Sequence, residues 1–202
     1  MSIEFYDNNA EMYINDTMNV DMRKLYNVFE QYLNQGDTVL DIGCGSGRDS
    51  SYFLEKGYNV YAHDGSREMV AYTKRFLGNR VALAKFDAFD PEILFSKKII
   101  FDGLWACSSL LHVPEKELVN VLKRYLSFLA DQGVFFMSFK RREENHEKDG
   151  RLFTNFTKEK LVHLLGSIEN ISVLAYLETA DIREDRKNED WISVVVRKKY
   201  LL

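Results

Sequence analysis

Cysteine and proline are scarce in this chain, with two of each among 202 residues, and there are only four histidines. Cys44 and Cys107 stand 63 positions apart with no Cys-x-x-Cys spacing, which argues against a disulfide framework and a thiolate zinc site. His63, His112, His146 and His163 are scattered without a His-x-x-x-His pair, so no metal centre is expected. No apolar run approaches the roughly 20 residues of a membrane-spanning helix, and no membrane association is expected. The first twenty positions carry Glu4, Asp7, Glu11 and Asp16 and lack a basic start with an apolar run. No secretory signal is therefore expected, and the cytoplasm is the expected compartment. Positive charge is not in excess either: 27 Lys and Arg against 31 Asp and Glu leave a net charge of −4. On charge grounds no stable nucleic-acid partner is expected.

What is present is a 46% apolar chain, long enough to bury roughly 70% of its unfolded surface. Linkers, low-complexity tracts and repeats are lacking, so one structural domain is the economical reading. Met22, Leu25, Tyr26, Phe29, Tyr32 and Leu33 follow helical spacing up to a stop at Gly36. Strands and helices then alternate. Strands are expected at Thr38 to Ile42, Asn59 to His63, Val81 to Phe86, Ile100 to Cys107 and Val134 to Phe139, with helices at Ser46 to Lys56, Ser66 to Leu77, after Asp90-Pro91 and through Leu118 to Leu129. A helix from Thr157 leads to two final strands, Ile171 to Leu177 and Trp191 to Arg197, joined by a polar tip at Glu184 to Asp190. Such alternation implies right-handed crossovers and an α/β, Rossmann-like sheet of seven strands, mostly parallel, with helices on both faces and an antiparallel last strand.

In such sheets ligands bind beyond the carboxyl ends of the strands, where the strand order reverses. The first strand runs into Asp41-Ile42-Gly43-Cys44-Gly45-Ser46-Gly47, an Asp-x-Gly-x-Gly-x-Gly loop that opens a helix. Glycine there lets a ligand touch the main chain and permits a tight turn. A dinucleotide fingerprint would need glycine at Arg48, and no Walker Gly-Lys-Ser/Thr follows. Asp41, two places before the first glycine, stands where a carboxylate orders the loop or meets an ammonium group, which suits an amino-acid-bearing cofactor better than a pyrophosphate. The second strand leads to Asp64, where a carboxylate can accept ribose hydroxyls, and the third to Asp87, Ala88 and Phe89. Each aspartate alone also reads as an N-cap or a solvated loop residue. Three in succession beside one glycine loop point to a nucleoside site.

On these residues the chain resembles the class I S-adenosylmethionine-dependent methyltransferases over essentially its whole length, and is most similar to the small bacterial tellurite-resistance type. The resemblance implies that Gly43, Cys44 and Gly45 line the methionine moiety and that Asp64, with Gly65 and Ser66, holds the ribose. Met69 would pack near the adenine, and Asp87, Ala88 and Phe89 would receive its edge. Ala106, Cys107 and Ser108, in the stretch ending at Val113-Pro114, would lie beneath the sulfonium. Residues 1–36, with Tyr6 and Tyr13 seven positions apart, would form a helical lid, and residues 37–202 the methyltransferase domain. Packing of that aromatic face on the sheet is the alternative.

Methyl transfer needs alignment and desolvation, and a hydroxyl or amine acceptor also gains from a base. His112 is the best-placed base, with a structural histidine as the alternative. Arg48 is positioned to pair with a cofactor carboxylate, or to stand exposed on its helix. Arg183 and Arg186, with Lys140-Arg141-Arg142, would make a mouth for a small anionic acceptor if they converge, with Trp191 as a wall. The expected activity is S-adenosylmethionine-dependent methylation of a small molecule, with chalcogen and thiol compounds among the candidates, by a monomer or homodimer. The rival readings are methylation of RNA or another macromolecule and a noncatalytic adenosyl-binding module.

Overall fold

The computed structural model describes residues 2–183, 186 and 189–200. Three helices, α1 (Ser2–Asn8), α2 (Ala10–Thr17) and α3 (Arg23–Glu30), precede β1 (Thr38–Ile42). Then follow α4 (Arg48–Glu55), β2 (Asn59–Asp64), α5 (Arg67–Leu77), β3 (Val81–Leu83), α6 (Pro91–Phe95), β4 (Phe101–Ala106), α7 (Glu115–Phe128) and β5 (Leu129–Lys140). The chain continues through β6 (His146–Lys148), β7 (Arg151–Phe153), α8 (Lys158–Gly166), β8 (Ile171–Ala180) and β9 (Asp190–Lys198). Seven strands form one sheet in the order β3-β2-β1-β4-β5-β9-β8. β9 runs antiparallel to both neighbours, as expected for the last strand. Strand order reverses between β1 and β4, which opens the crevice at their carboxyl ends.

The sheet is covered on both faces because its strands are apolar on both. Successive side chains point to opposite sides, so Leu40, Leu104 and Phe135 enter one core while Val39, Trp105 and Phe136 enter the other. In the second core Trp105 stacks on Phe136, with ring centroids 4.0 Å apart.

Helix starts follow the local chemistry. Ser66 Oγ accepts from Met69 N at 3.2 Å, Thr157 caps α8, and Asp90 caps α6 just before Pro91. Three boundaries depart from the sequence reading. β3 ends at Leu83 rather than Phe86, because its only partner, β2, ends at Asp64 directly opposite Leu83. Gly133 lies inside β5 rather than at a helix end, since α7 passes directly into the strand at Leu129. The polar loop after β5 contains the β6–β7 hairpin. Its tip, Asp149-Gly150, has φ of +52° and +70°, the two left-handed residues of a type I′ turn. Much of the expected 184–190 tip lies outside the described residues. At its base Asp181 N donates to Glu189 O at 2.7 Å.

His63 sits in β2 beneath the crevice, fully buried and stacked on Phe89 at 4.5 Å. Its Nδ1 lies 3.1 Å from Ala84 O, which can only accept. Nε2 is therefore the acceptor for Tyr125 Oη at 2.7 Å, and burial lowers the ring's pKa to about 4. Between pH 6.5 and 4 the unfolded chain takes up a proton that the folded chain refuses, so stability falls with pH in that window. At pH 5 this amounts to about 2 kcal/mol. His63→Gln keeps a donor and an acceptor without titrating. Thermal midpoints at pH 7 and pH 5 should show a larger loss in the wild type than in this variant.

Candidate active site

The loop between β1 and α4 is folded around its own main chain. Gly43 N and Cys44 N donate to His63 O at 2.9 and 3.0 Å, and Gly45 N donates to the Asp64 carboxylate at 2.9 Å. Gly43 has φ +68°, and a Cβ there would stand 2.6 Å from Ser109 Cβ, so no larger residue fits. Asp64 also accepts from Ser66 N at 2.8 Å, and burial raises its pKa despite these bonds.

Two adjoining cavities open at this edge of the sheet. The first, about 470 Å³, is lined by the glycine loop, Asp64, Gly65, Met69 and the segment Ala84–Asp87. Five acidic side chains and two basic ones line it, three more negative than positive. The second, about 530 Å³, lies over the ends of β5 and β9. Tyr6, Tyr13, Arg48, Cys107, Ser108 and His112 line both and so mark the junction.

At this junction Tyr6 and Tyr13, on consecutive helices, meet edge to face at 5.0 Å. Ile3 lies over Gly65, since a Cβ on the glycine would come within 2.8 Å of it. Asp7 accepts from Ser66 Oγ at 2.6 Å. The first two helices thus roof the first cavity. His112 Nδ1 lies 2.7 Å from Leu152 O, which fixes the proton on that nitrogen. Its Nε2 accepts from Tyr6 Oη at 2.8 Å. Burial lowers the His112 pKa to about 4, so the ring is neutral near pH 7. Cys107 is a protonated thiol, pushed up to about 12 by burial and by Asp49.

Arg48 is half-buried rather than exposed, with its guanidinium on Asp49 at 2.6 and 3.0 Å. Asp49 also accepts from Tyr26 Oη at 2.5 Å and Trp105 Nε1 at 2.8 Å. Burial opposes ionisation of this carboxyl, but Arg48 and the donated hydrogen bonds outweigh it and lower its pKa. The acid in the first turn of α4 thus locks Arg48 toward the junction. Nothing in the sequence pattern marked Asp49.

Five of the expected cofactor residues do not line either cavity. Asp41 is turned inward to accept from Ser50 Oγ at 2.6 Å, and burial together with nearby Asp49 raises its pKa, so it is not available to an external ammonium group. Ser66 caps α5, and Ala106 is enclosed within β4. Ala88 is exposed, while Phe89 is buried against His63 and Tyr125. Because β3 stops three residues early, Ala84, Lys85 and Phe86 join Asp87 at the cavity instead. The remaining cofactor candidates, Tyr13, Gly43, Cys44, Gly45, Arg48, Asp64, Gly65, Met69, Asp87, Cys107 and Ser108, all line the first cavity. Arg183 and Arg186 line the second, together with His112. Arg183 is held by Asp181 at 2.7 Å, which makes it a wall of that cavity. Among the described residues no group of three or more His, Cys, Asp or Glu could hold a metal ion, and no helix is long and apolar enough to cross a membrane.

Residues 39–133 match the methyltransferase domain family. Phosphoethanolamine N-methyltransferase 1 of Zea mays is 29% identical over 108 residues, 52% of this chain and 21% of that protein. Ubiquinone biosynthesis O-methyltransferase of Coxiella burnetii is 26% identical over 115 residues, 57% of this chain and 48% of that one. The chain therefore spans half or less of the length of these curated relatives. A crystal structure of Burkholderia thailandensis 1,6-didemethyltoxoflavin-N1-methyltransferase, with bound 1,6-didemethyltoxoflavin and S-adenosylhomocysteine, superposes with a TM-score of 0.78 at 23% identity. That match covers 98% of this chain and 86% of the other. The fold is the Rossmann-like methyltransferase fold.

Proposed function

We propose that this chain, whose residues 39–133 match the methyltransferase domain, binds S-adenosylmethionine in the first cavity and methylates a small molecule held in the second. One observation carries this reading: a main-chain cradle in an acidic cavity meets a second cavity at a junction that includes Arg48 and His112. The residues fit the cofactor. Gly43 and Gly45 turn the loop with φ of +68° and +52° and set it against the cavity, and the Asp64 carboxylate suits ribose hydroxyls. Met69 and Phe86 supply apolar surface for a base, and the acidic excess suits a positively charged donor. Arg48, oriented by Asp49, would pair with the cofactor carboxylate.

Bound S-adenosylmethionine supplies an electrophilic methyl on a cationic sulfur, which keeps the bonding pair and becomes a neutral thioether. Tyr13 and the first two helices exclude water from the junction. His112, neutral and with Nε2 directed to Tyr6, takes the proton of a hydroxyl or amine acceptor that displaces the Tyr6 hydroxyl. A second cavity of about 530 Å³ has the size of a small organic acceptor rather than of a macromolecule. Tellurite, selenite or a small thiol, the finer reading raised by the tellurite-resistance resemblance, would fill only part of a space that holds many waters of about 30 Å³ each.

Transfer of labelled methyl from S-adenosylmethionine into small organic acceptors, tellurite, selenite, thiols and total tRNA tests the assignment. Label is expected in the small-molecule fraction. Incorporation into tRNA alone would reverse the choice of acceptor, and cofactor binding without transfer to any of them would favour a regulatory module. Asp64→Ala should weaken cofactor binding by about 1.5 to 3 kcal/mol, the loss of a hydrogen bond to a charged group. Unchanged affinity in calorimetry would remove Asp64 from the ribose role.

A further inference from the structure

The second cavity carries the opposite charge from its neighbour. Seven basic and four acidic side chains line it, an excess of three positive charges on a chain whose total is −4. The acids are already engaged: Asp181 by Arg183, Asp149 by Arg151, Glu189 by Lys140, and Glu178 by Arg141 just outside. Low-dielectric walls concentrate such a field, so the chamber attracts anions.

Its floor is polar. Ser138 pairs with Ser193 and Lys140 with Trp191 across β5 and β9, and the two-residue period puts all four on one face. Ser193 is fully buried, lines the cavity, and its Oγ has no hydrogen-bond partner among the described residues. A buried hydroxyl left in this state is costly unless a ligand satisfies it. Lys140 Nζ stands 4.8 Å from the Phe153 ring centroid and 5.9 Å from that of Trp191, so the cation is set between flat apolar walls. The volume, about 530 Å³, is that of an organic ligand rather than a bare oxyanion.

Resting on the methyl-transfer reading, we infer that the acceptor is an aromatic carboxylate: its charge shares the Lys140 ammonium with Glu189 and accepts from Ser193 Oγ, its ring packs on the aromatic walls that flank that ammonium, and its hydroxyl or amine reaches the junction at His112. Transfer to that hydroxyl or amine leaves the carboxylate ionised, so the anchor persists through the reaction while His112 Nε2 takes the displaced proton.

The test uses the full chain saturated with S-adenosylhomocysteine and measures, by calorimetry, the binding of hydroxyaryl and aminoaryl carboxylates against their own carboxamides. Each carboxylate should bind about tenfold or more tighter than its amide, as expected when a charge-assisted hydrogen bond is gained. The advantage should shrink as salt is raised. Lys140→Met should abolish it while affinity for S-adenosylhomocysteine is unchanged. If that variant fails to fold, Arg186→Gln should reduce the advantage in its place. Equal affinities within the pairs would overturn the inference and leave the cofactor reading intact. Failure of the wild type to bind S-adenosylhomocysteine would instead overturn the reading on which it rests.

Discussion

Asp49→Ala is expected to melt about 6 to 20 °C below the wild type. Asp49 is the shared acceptor for the Arg48 guanidinium, the Tyr26 hydroxyl and the Trp105 indole, all in or at the edge of a closed core. Truncating it strands a half-buried cation and two buried donors, and breaking one partner of a buried pair costs about 3 to 5 kcal/mol. At about 2 to 4 °C per kcal/mol for a domain of this size, the stated range follows. The same change releases Arg48 from the junction, so cofactor affinity should fall as well. Asp49→Asn keeps the shape and an acceptor oxygen and should lie between the two. A thermal midpoint within a degree of the wild type for the alanine variant would show that the hub does not hold this core together.

His112→Ala should lower turnover about 10²- to 10⁴-fold, the range of a positioned base, with cofactor affinity nearly constant. Burial holds the His112 pKa at about 4, and the working form is the neutral ring. Its contribution should therefore stay level from pH 8 down to about 5 and be lost as pH falls through 4. Tyr6→Phe removes the hydroxyl that caps Nε2 but leaves the base, so its turnover should fall far less than that of the alanine variant. Single-turnover rates of the two variants across that pH range make the comparison. Normal turnover in His112→Ala would return the residue to a purely structural role, fixing Tyr6 and Leu152.

Much of this molecule is readable from local pattern. The seven strands and their carboxyl ends follow from short β-branched and aromatic runs, and the positions of Gly43, Gly45, Asp64 and Asp87 around one crevice follow from them. The misplacement of Ala88 and Phe89 has a simple source. Val81 to Phe86 is apolar enough to read as strand throughout, but its partner β2 runs out at Asp64, opposite Leu83, which ends β3 there and shifts the exposed window by three residues. The sequence singled out Asp41 and not Asp49, and their tertiary partners reverse that: Ser50 draws Asp41 inward, while Asp49 holds Arg48 at the junction. The β6–β7 hairpin could have been found. Asp149-Gly150 is the two-residue signature of a type I′ turn, and the hairpin it forms brings Leu152 to His112 and Arg151 onto Phe5, 3.7 Å from its ring centroid. No pattern pairs residues 112 and 152, because that contact depends on how the hairpin docks.

The acidic surplus around the first chamber has a bearing on what leaves it. A fresh donor and its demethylated by-product share nearly all their atoms but differ by one unit of charge. One carboxylate about 8 Å from that charge, at an effective dielectric near 20, distinguishes them by about 2 kcal/mol. On the reading proposed above, the same field that recruits the reagent loosens its hold once the sulfur is neutral, so clearance of the by-product is favoured without any dedicated release device.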